Sequence, residues 1–400
     1  MKISCKKIIV NYICWFPLIN IAFFMMLQGG YTNVFYFFSE LLIVALSIRL
    51  YGISTKDAYI VAGLLLYVPI AYMIHGYLGE MPIILNFIYF IFLAFTLNND
   101  CFKTALIEHI CNRKRQVSII SLLYISIVLV SIAMGTGFLE GWGTVTLKGP
   151  YGTPHTLAYE LLILVCLNLI LILQKRKTIN VVITFILVAM ILFTAVRSAL
   201  VGLIILLLFF VSRFDISKKI FIFIVVSIVG AYMIFTTSIL DPILEKTNLA
   251  ISNGSISNGR IWIFKSSIDT FIQSDDNAKW IVGIGYDKLL EGNLRQIHYT
   301  IQAHNDILNA IIAFGVIICV IFVYAIFRMA SGKKGTIYKF ILLMMLVNLN
   351  GLVSYMSFSI PIMIAMVFLE SDKIDEKAQL HSRRIKIRGL RVSMPRKKVN

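Results

Sequence analysis

The stretch from Ile179 to Ser212, INVVITFILVAMILFTAVRSALVGLIILLLFFVS, is apolar for 34 residues and broken only by Arg197-Ser198. One continuous helix of that length would rise about 50 Å at ~1.5 Å per residue, far more than the ~30 Å hydrocarbon core of a bilayer. Both flanks are basic, with Lys175-Arg176-Lys177 before the stretch and Arg213, Lys218 and Lys219 after it. A single span would strand one basic flank outside, against the preference of Lys and Arg for the cytoplasmic side. The stretch therefore reads as two spans, 179–196 and 198–212, forming a hairpin with Arg197 at its outer tip.

Working outward, further apolar runs predict spans at 8–28, 33–49, 58–76, 81–98, 117–137, 155–174, 220–238, 304–327, 338–354 and 356–369. That makes about 12 transmembrane helices with both termini in the cytoplasm. The 400 residues are 59% hydrophobic and 14% charged, against roughly half and a quarter in a soluble domain. Disordered, collagen-like and disulfide-stapled classes are excluded with the soluble one. Lys2, Lys6 and Lys7 precede an apolar stretch with no small-residue cleavage site behind it, so the first helix reads as an anchor. The expected fold is an all-α polytopic membrane protein. Residues 1–238 form an N-terminal transmembrane bundle of about nine helices, and 239–303 a large extracytoplasmic loop with short helices. Residues 304–369 supply the C-terminal membrane helices, and 370–400 a basic cytoplasmic tail.

The formal net charge is +17, from 37 Lys and Arg against 20 Asp and Glu. With twelve spans, 29 of the 37 basic residues fall on the cytoplasmic side. The other eight are Lys148, Arg197, Lys246, Arg260, Lys265, Lys279, Lys288 and Arg295. The excess is thus an orientation signal rather than a nucleic-acid surface, and the tail from Lys373 to Lys398 lies near anionic lipid. The six cysteines all fall in spans or on the inner side, so no disulfide framework is expected in the outer loops. Cys101, His109 and Cys111 lack zinc-finger spacing and read as an ordinary cytoplasmic loop.

The sequence has no phosphate loop, no HExxH and no GxSxG elbow, and nothing in it indicates a redox cofactor. Asp275-Asp276 reads as a solvated turn. Polar residues instead gather at one membrane face. Arg197 costs free energy there unless it snorkels to water or meets an anion. Arg260 follows Asn258-Gly259 at the start of an amphipathic helix with Ile261, Phe264, Ile268 and Phe271 at helical spacing and Asn258 as a candidate cap. A guanidinium beside unpaired N–H groups suits a phosphate. His304-Asn305-Asp306 opens the tenth span, where His304 is a candidate base and Asn305 or Asp306 a cap. Gly283-Ile-Gly285-Tyr286 reads as a close-approach turn. Tyr151-Gly-Thr-Pro-His155, with Glu160 one turn later, begins the sixth span.

Four stretches together resemble the O-antigen polymerase and O-antigen ligase family of bacterial membrane glycosyltransferases. They are Thr194-Ala-Val-Arg-Ser-Ala-Leu-Val-Gly202, Ser257-Asn-Gly-Arg-Ile-Trp-Ile-Phe-Lys265, Trp280-Ile-Val-Gly-Ile-Gly-Tyr286, and Ala303-His-Asn-Asp-Ile-Leu-Asn309 continuing to Phe314-Gly315. Their order, and the long outer loop late in the chain, resemble the family over roughly residues 150 to 330. The residues before Arg197 are Phe193-Thr-Ala-Val, where relatives often carry a serine next to the arginine.

The resemblance implies a GT-C-like membrane glycosyltransferase without metal or cofactor, sited in the bacterial plasma (inner) membrane with its active site outside. It implies an undecaprenyl-diphosphate-linked glycan as donor. The family's essential arginines carry over to Arg197 and Arg260 and its loop histidine to His304. Tyr151, His155, Gly283, Gly285 and Asn305 are the further substrate-binding candidates. The expected reaction is polymerisation of repeat units into O-antigen or capsular polysaccharide. A ligase passing the polymer to a lipid A core has the same donor chemistry. A lipid-linked oligosaccharide flippase fits less well, because transporters place polar groups at mid-membrane. Partners are the bilayer, the lipid-linked donor and, in the pathway, a chain-length regulator and a flippase.

Overall fold

The computed structural model describes residues 5–26, 31–75, 81–141, 144–175, 178–215, 244–245, 248, 260–332, 335–350 and 359–371. The expected span 220–238, the candidate cap Asn258 and the tail beyond 371 lie outside the described residues. The first nine helices are α1 (Cys5–Met26), α2 (Tyr31–Tyr51), α3 (Thr55–His75), α4 (Met81–Leu97), α5 (Asp100–Asn112), α6 (Lys114–Ala133), α7 (Pro154–Lys175), α8 (Thr178–Thr194) and α9 (Arg197–Ser212). After these come α10 (Arg260–Gln273), α11 (Lys279–Val282), α12 (Tyr286–Ile297), α13 (Asp306–Ala330), α14 (Thr336–Asn350) and α15 (Ser359–Phe368). Among the described residues, four helices are long and apolar enough to cross a membrane: Ile8–Met25, Lys114–Ala133, Pro154–Gln174 and Asp306–Ala330. The bent pair Asn86–Leu97 and Asp100–Asn112 would make a fifth. The chain is a polytopic, mostly helical membrane protein.

α7 is the centre of the bundle and is buried along almost its whole length. It also fixes the direction of α8 and α9. Asn180, near the start of α8, donates to Asn168 Oδ1 at 2.8 Å, and Asn168 lies in the second half of α7. Ser198, at the start of α9, is 2.9 Å from the hydroxyl of Tyr159, in the first turns of α7. Further along α9, Phe209 packs edge-on against Tyr338 and Phe368. The chain therefore runs along α7 one way in α8 and returns in α9, which is the hairpin that the basic flanks demand. Only Ala195 and Val196 separate the two helices, and Ala195 makes the turn with φ of 50°.

Two expectations need correction. The segment holding Cys101, His109 and Cys111 is helix α5, not a loop. Asn99 caps it by accepting from the backbone N–H groups of Cys101 and Phe102 at 2.9 and 3.3 Å. Phe102, Leu106 and Ile110, at i, i+4 and i+8, bury its inner face. The axis bends by 85° between α4 and α5. Nor is the chain wholly α-helical. In the segment after α6, β1 (Phe138–Gly141) pairs antiparallel with β2 (Thr144–Leu147), Phe138 opposite Leu147.

Ionic contacts join residues assigned to the cytoplasmic side. Buried Asp57 accepts from Arg328 at 3.1 Å, linking α3 to the end of α13. Glu370, just past α15, pairs with Lys103 of α5 at 2.8 Å and with Lys339 of α14 at 3.3 Å. Asp57, Lys103 and Lys339 are all buried. Lys103 also pairs with Asp100 at 3.0 Å, so the two lysines lie between two carboxylates that offset their repulsion.

Candidate functional site

The other ends of the helices are built by a crossing of two backbones. α13 is kinked at Gly315, whose φ is 82°. The turn after α11 enters that kink: Ile284 N–H donates to Ile312 C=O at 2.8 Å, and Gly285 N–H to Ala313 C=O at 3.1 Å. A Cβ on Gly283 would stand 2.3 Å from the Ala313 carbonyl, and one on Gly315 would stand 2.1 Å from the Ile281 oxygen. Tyr67 of α3 clamps the crossing by donating to the carbonyls of Val282 and Phe314. Gly283 is thus held by chain, and its observed role is packing. Gly285 has φ of 87° with open space around its α-carbon and starts α12.

Onto this crossing α10 and α12 are pinned by a buried amide. Asn293 of α12 accepts from Ser266 of α10 at 2.7 Å, and donates to Ser267 at 3.0 Å and to the Ile301 carbonyl at 2.7 Å. Next in the chain, Gln302 Oε1 accepts from Tyr286 and from Asn309, each at 3.1 Å. Asn309 in turn accepts from the Ala303 N–H at 3.1 Å. One network therefore joins α10, which begins at Arg260, to the loop that presents His304. Asn293, Gln302 and Asn309 are buried, where an unmade hydrogen bond would cost ~1–3 kcal/mol each.

His304 is half-buried and has φ of 51°, the left-handed region a non-glycine residue enters at a cost of ~1–2 kcal/mol. Asn305 follows as the cap of α13 and accepts from Leu308 N–H at 3.0 Å. Its oxygen has a structural duty. Among the described residues, non-glycine positive φ occurs at Ala195, His298 and His304. Two of the three flank the candidate arginine and form the candidate base, and such strain concentrates at functional sites.

Arg260 lies within the electrostatic reach of Arg197. Both are half-buried. Burial pushes the Arg260 guanidinium below its ordinary pKa, the nearby Tyr159 hydroxyl opposes the shift, and the Arg197 charge adds to it. Two partly desolvated guanidiniums that repel each other form a place where a polyanion is favourable. Tyr159 is the residue the sequence reading passed over. Its i−4 neighbour His155 is exposed and lies on the same face of α7. Tyr151 belongs elsewhere. It is buried, accepts from the Tyr124 hydroxyl at 3.3 Å, and packs edge-on against Phe24. Near it Asn20 donates to buried Glu160.

No curated protein and no solved structure matches the chain. Residues 181–323 match the family model described as O-antigen ligase. This stretch carries Arg197, Arg260, Gly283, Gly285, His304 and Asn305, and over these residues the chain is similar to the O-antigen polymerase and ligase family.

Proposed function

We propose that this protein is a polymerase joining undecaprenyl-diphosphate-linked oligosaccharide repeat units into O-antigen or capsular polysaccharide. The reaction takes place at the outer face of the bacterial plasma membrane, in a GT-C-like bundle of about 12 spans. The observation that carries the reading is the half-buried Arg260 lying within the field of Arg197 at the end of the bundle. Breaking the sugar–phosphate bond leaves negative charge on the diphosphate, and paired guanidiniums stabilise that charge as it develops. His304 removes the proton from an acceptor sugar hydroxyl, whose oxygen attacks the anomeric carbon from the face opposite the departing diphosphate. The configuration at that carbon inverts. The arginines supply the positive charge that a metal supplies in other glycosyl transfers, so activity persists in excess chelator.

The test is direct. Arg197→Ala, Arg260→Ala and His304→Ala each leave folded protein in the membrane and abolish polymer, since removing one such electrostatic donor costs ~10²–10³ in rate. Glycan ladders of wild-type length from all three variants overturn the proposal. The second reading, a ligase passing finished polymer to a lipid A core or other terminal acceptor, is favoured by the description of the matching family model. Deleting the gene separates the two: loss of a polymerase leaves a single repeat unit on the acceptor, and loss of a ligase leaves polymer on the carrier lipid.

A further inference from the structure

The crossing of α11 with α13 lies some way down the span rather than at its end. Arg328, near the end of α13, pairs at 3.1 Å with Asp57 in the first turn of α3, so those two helix ends share a level. Lys56 beside Asp57 is exposed, and the two basic residues mark that level as a membrane edge. From Arg328 back to Gly315, α13 rises about 20 Å at ~1.5 Å per residue. From Asp57 to Tyr67, whose hydroxyl donates to the Val282 and Phe314 carbonyls, α3 rises about 15 Å. The hydrocarbon core is ~30 Å thick, so both helices set the crossing inside it, and any tilt sets it deeper. Beyond Tyr67, Ile70, Met73 and Ile74 of α3 are still exposed, an apolar surface that suits lipid above the crossing.

Backbone that leaves a helix at this depth needs partners from the protein, because lipid offers none. The crossing supplies them. Ile284 and Gly285 donate to the carbonyls of Ile312 and Ala313, Gly283 N–H donates to Lys279 C=O at 2.9 Å, and Tyr67 fills the carbonyls of Val282 and Phe314. The Lys279 ammonium donates to the Ile272 and Ser274 carbonyls at 2.8 and 2.6 Å. Yet Trp280 and Ile281 are 57% and 56% exposed, although Val282, Gly283 and Ile284 beside them are buried. Val316 and Ile317, next after the Gly315 that the Ile281 carbonyl approaches, are exposed as well. The apolar patch on α11 therefore continues the lipid-facing side of α13. We propose that residues 279–285 are a re-entrant turn, inserted into the membrane with Trp280 and Ile281 packed against the lipid tails of the leaflet it enters. The stretch read from sequence as wholly extracytoplasmic thus dips into the tail layer. The insertion fixes the height of α12, and through Asn293 that of α10 and the His304 loop, relative to the lipid surface. It holds whatever reaction the protein catalyses.

The test reads tryptophan fluorescence of the full chain in lipid nanodiscs. The chain has four tryptophans, so the emission of Trp280 is taken as the difference between wild type and Trp280→Phe. Two quenchers are compared: bromine carried along the lipid tails, and iodide in the water. The Trp280 emission loses most of its intensity in brominated lipid and little of it to iodide. Iodide quenching that equals or exceeds the bromine quenching overturns the proposal, because the ring then lies outside the tails. Trp280 packs edge-on against buried Phe271 at 4.9 Å between centroids, and Trp280→Phe disturbs that contact. Should that variant fail to fold, Ile281→Trp adds a probe at the neighbouring exposed position, and the emission it adds is judged by the same comparison. A second measurement uses charge. Ile281→Asp lowers the thermal midpoint about as far as Val320→Asp, which puts a carboxylate on the exposed side of α13 among the tails. An Ile281→Asp protein with the midpoint of wild type overturns the insertion.

Discussion

Gly283 and Gly285 are two residues apart in one motif, yet the geometry predicts unequal consequences for changing them to alanine. At Gly283 the positive φ of 76° alone costs a side chain ~1–2 kcal/mol. The new Cβ also meets the Ala313 carbonyl at 2.3 Å and Phe314 N at 2.5 Å. These are backbone atoms that cannot rotate away, so the helix must shift, at ~1–3 kcal/mol. The shift breaks the hydrogen bonds from Ile284 and Gly285 into the kink of α13, worth ~1 kcal/mol each. The total, about 4–7 kcal/mol, approaches the whole stability of an ordinary domain. At Gly285 nothing lies within 4 Å of the new Cβ, so only the backbone cost remains. Heating detergent-solubilised protein and following the monodisperse peak by size exclusion gives the order. Gly283→Ala and its crossing partner Gly315→Ala are lost at low temperature, and Gly285→Ala, which carries the backbone strain of ~1–3 kcal/mol without the clash, is lost at a temperature between these and wild type. A Gly283→Ala protein as heat-resistant as wild type but unable to make polymer would refute the argument, because the glycine would then face substrate rather than chain.

The same measurement reads the other buried contacts. Asn293→Ala leaves Ser266, Ser267 and the Ile301 carbonyl without their partner and is expected to cost ~2–4 kcal/mol; it also lowers polymer yield in whatever protein survives, because the His304 loop loses its anchor. Arg328→Ala strands buried Asp57, and removing one partner of a buried pair typically costs ~3–5 kcal/mol. The double variant Asp57→Ala/Arg328→Ala recovers part of that loss, and a fully additive double variant would show that the pair is not coupled. Glu370→Gln leaves Lys103 and Lys339 facing each other and lowers thermal stability more at low than at high ionic strength; an effect independent of salt would contradict the ion-pair account.

Much of the architecture was readable without coordinates. The break in the 179–212 stretch falls at Ala195–Val196, two residues before the Arg197 tip at which the sequence places it, and the amphipathic helix from Arg260 and the helix beginning after His304 lie where apolar spacing places them. The errors share a cause. α5 reads as a loop because it is short and one face is charged, although Asn99-Asp100 is a cap signal and Phe102, Leu106 and Ile110 recur every fourth residue. The hairpin 138–147 was missed because four-residue strands carry too little alternation to register. Tyr151 looked like part of a surface motif, and nothing local to it reveals the ring of Phe24 or the hydroxyl of Tyr124. Asn305 was seen to be a possible cap, and it caps.

Run length is a local, additive quantity, so the chain alone determined that this is a multi-span membrane protein. Proximity is neither local nor additive. That Gly283 needs to be glycine because of the kink at Gly315, that Asn293 ties Arg260's helix to the loop of His304, and that the Tyr159 hydroxyl meets Ser198 were decided only when distant segments packed. In each case the deciding quantity was a distance between backbone or polar atoms that the order of residues does not encode.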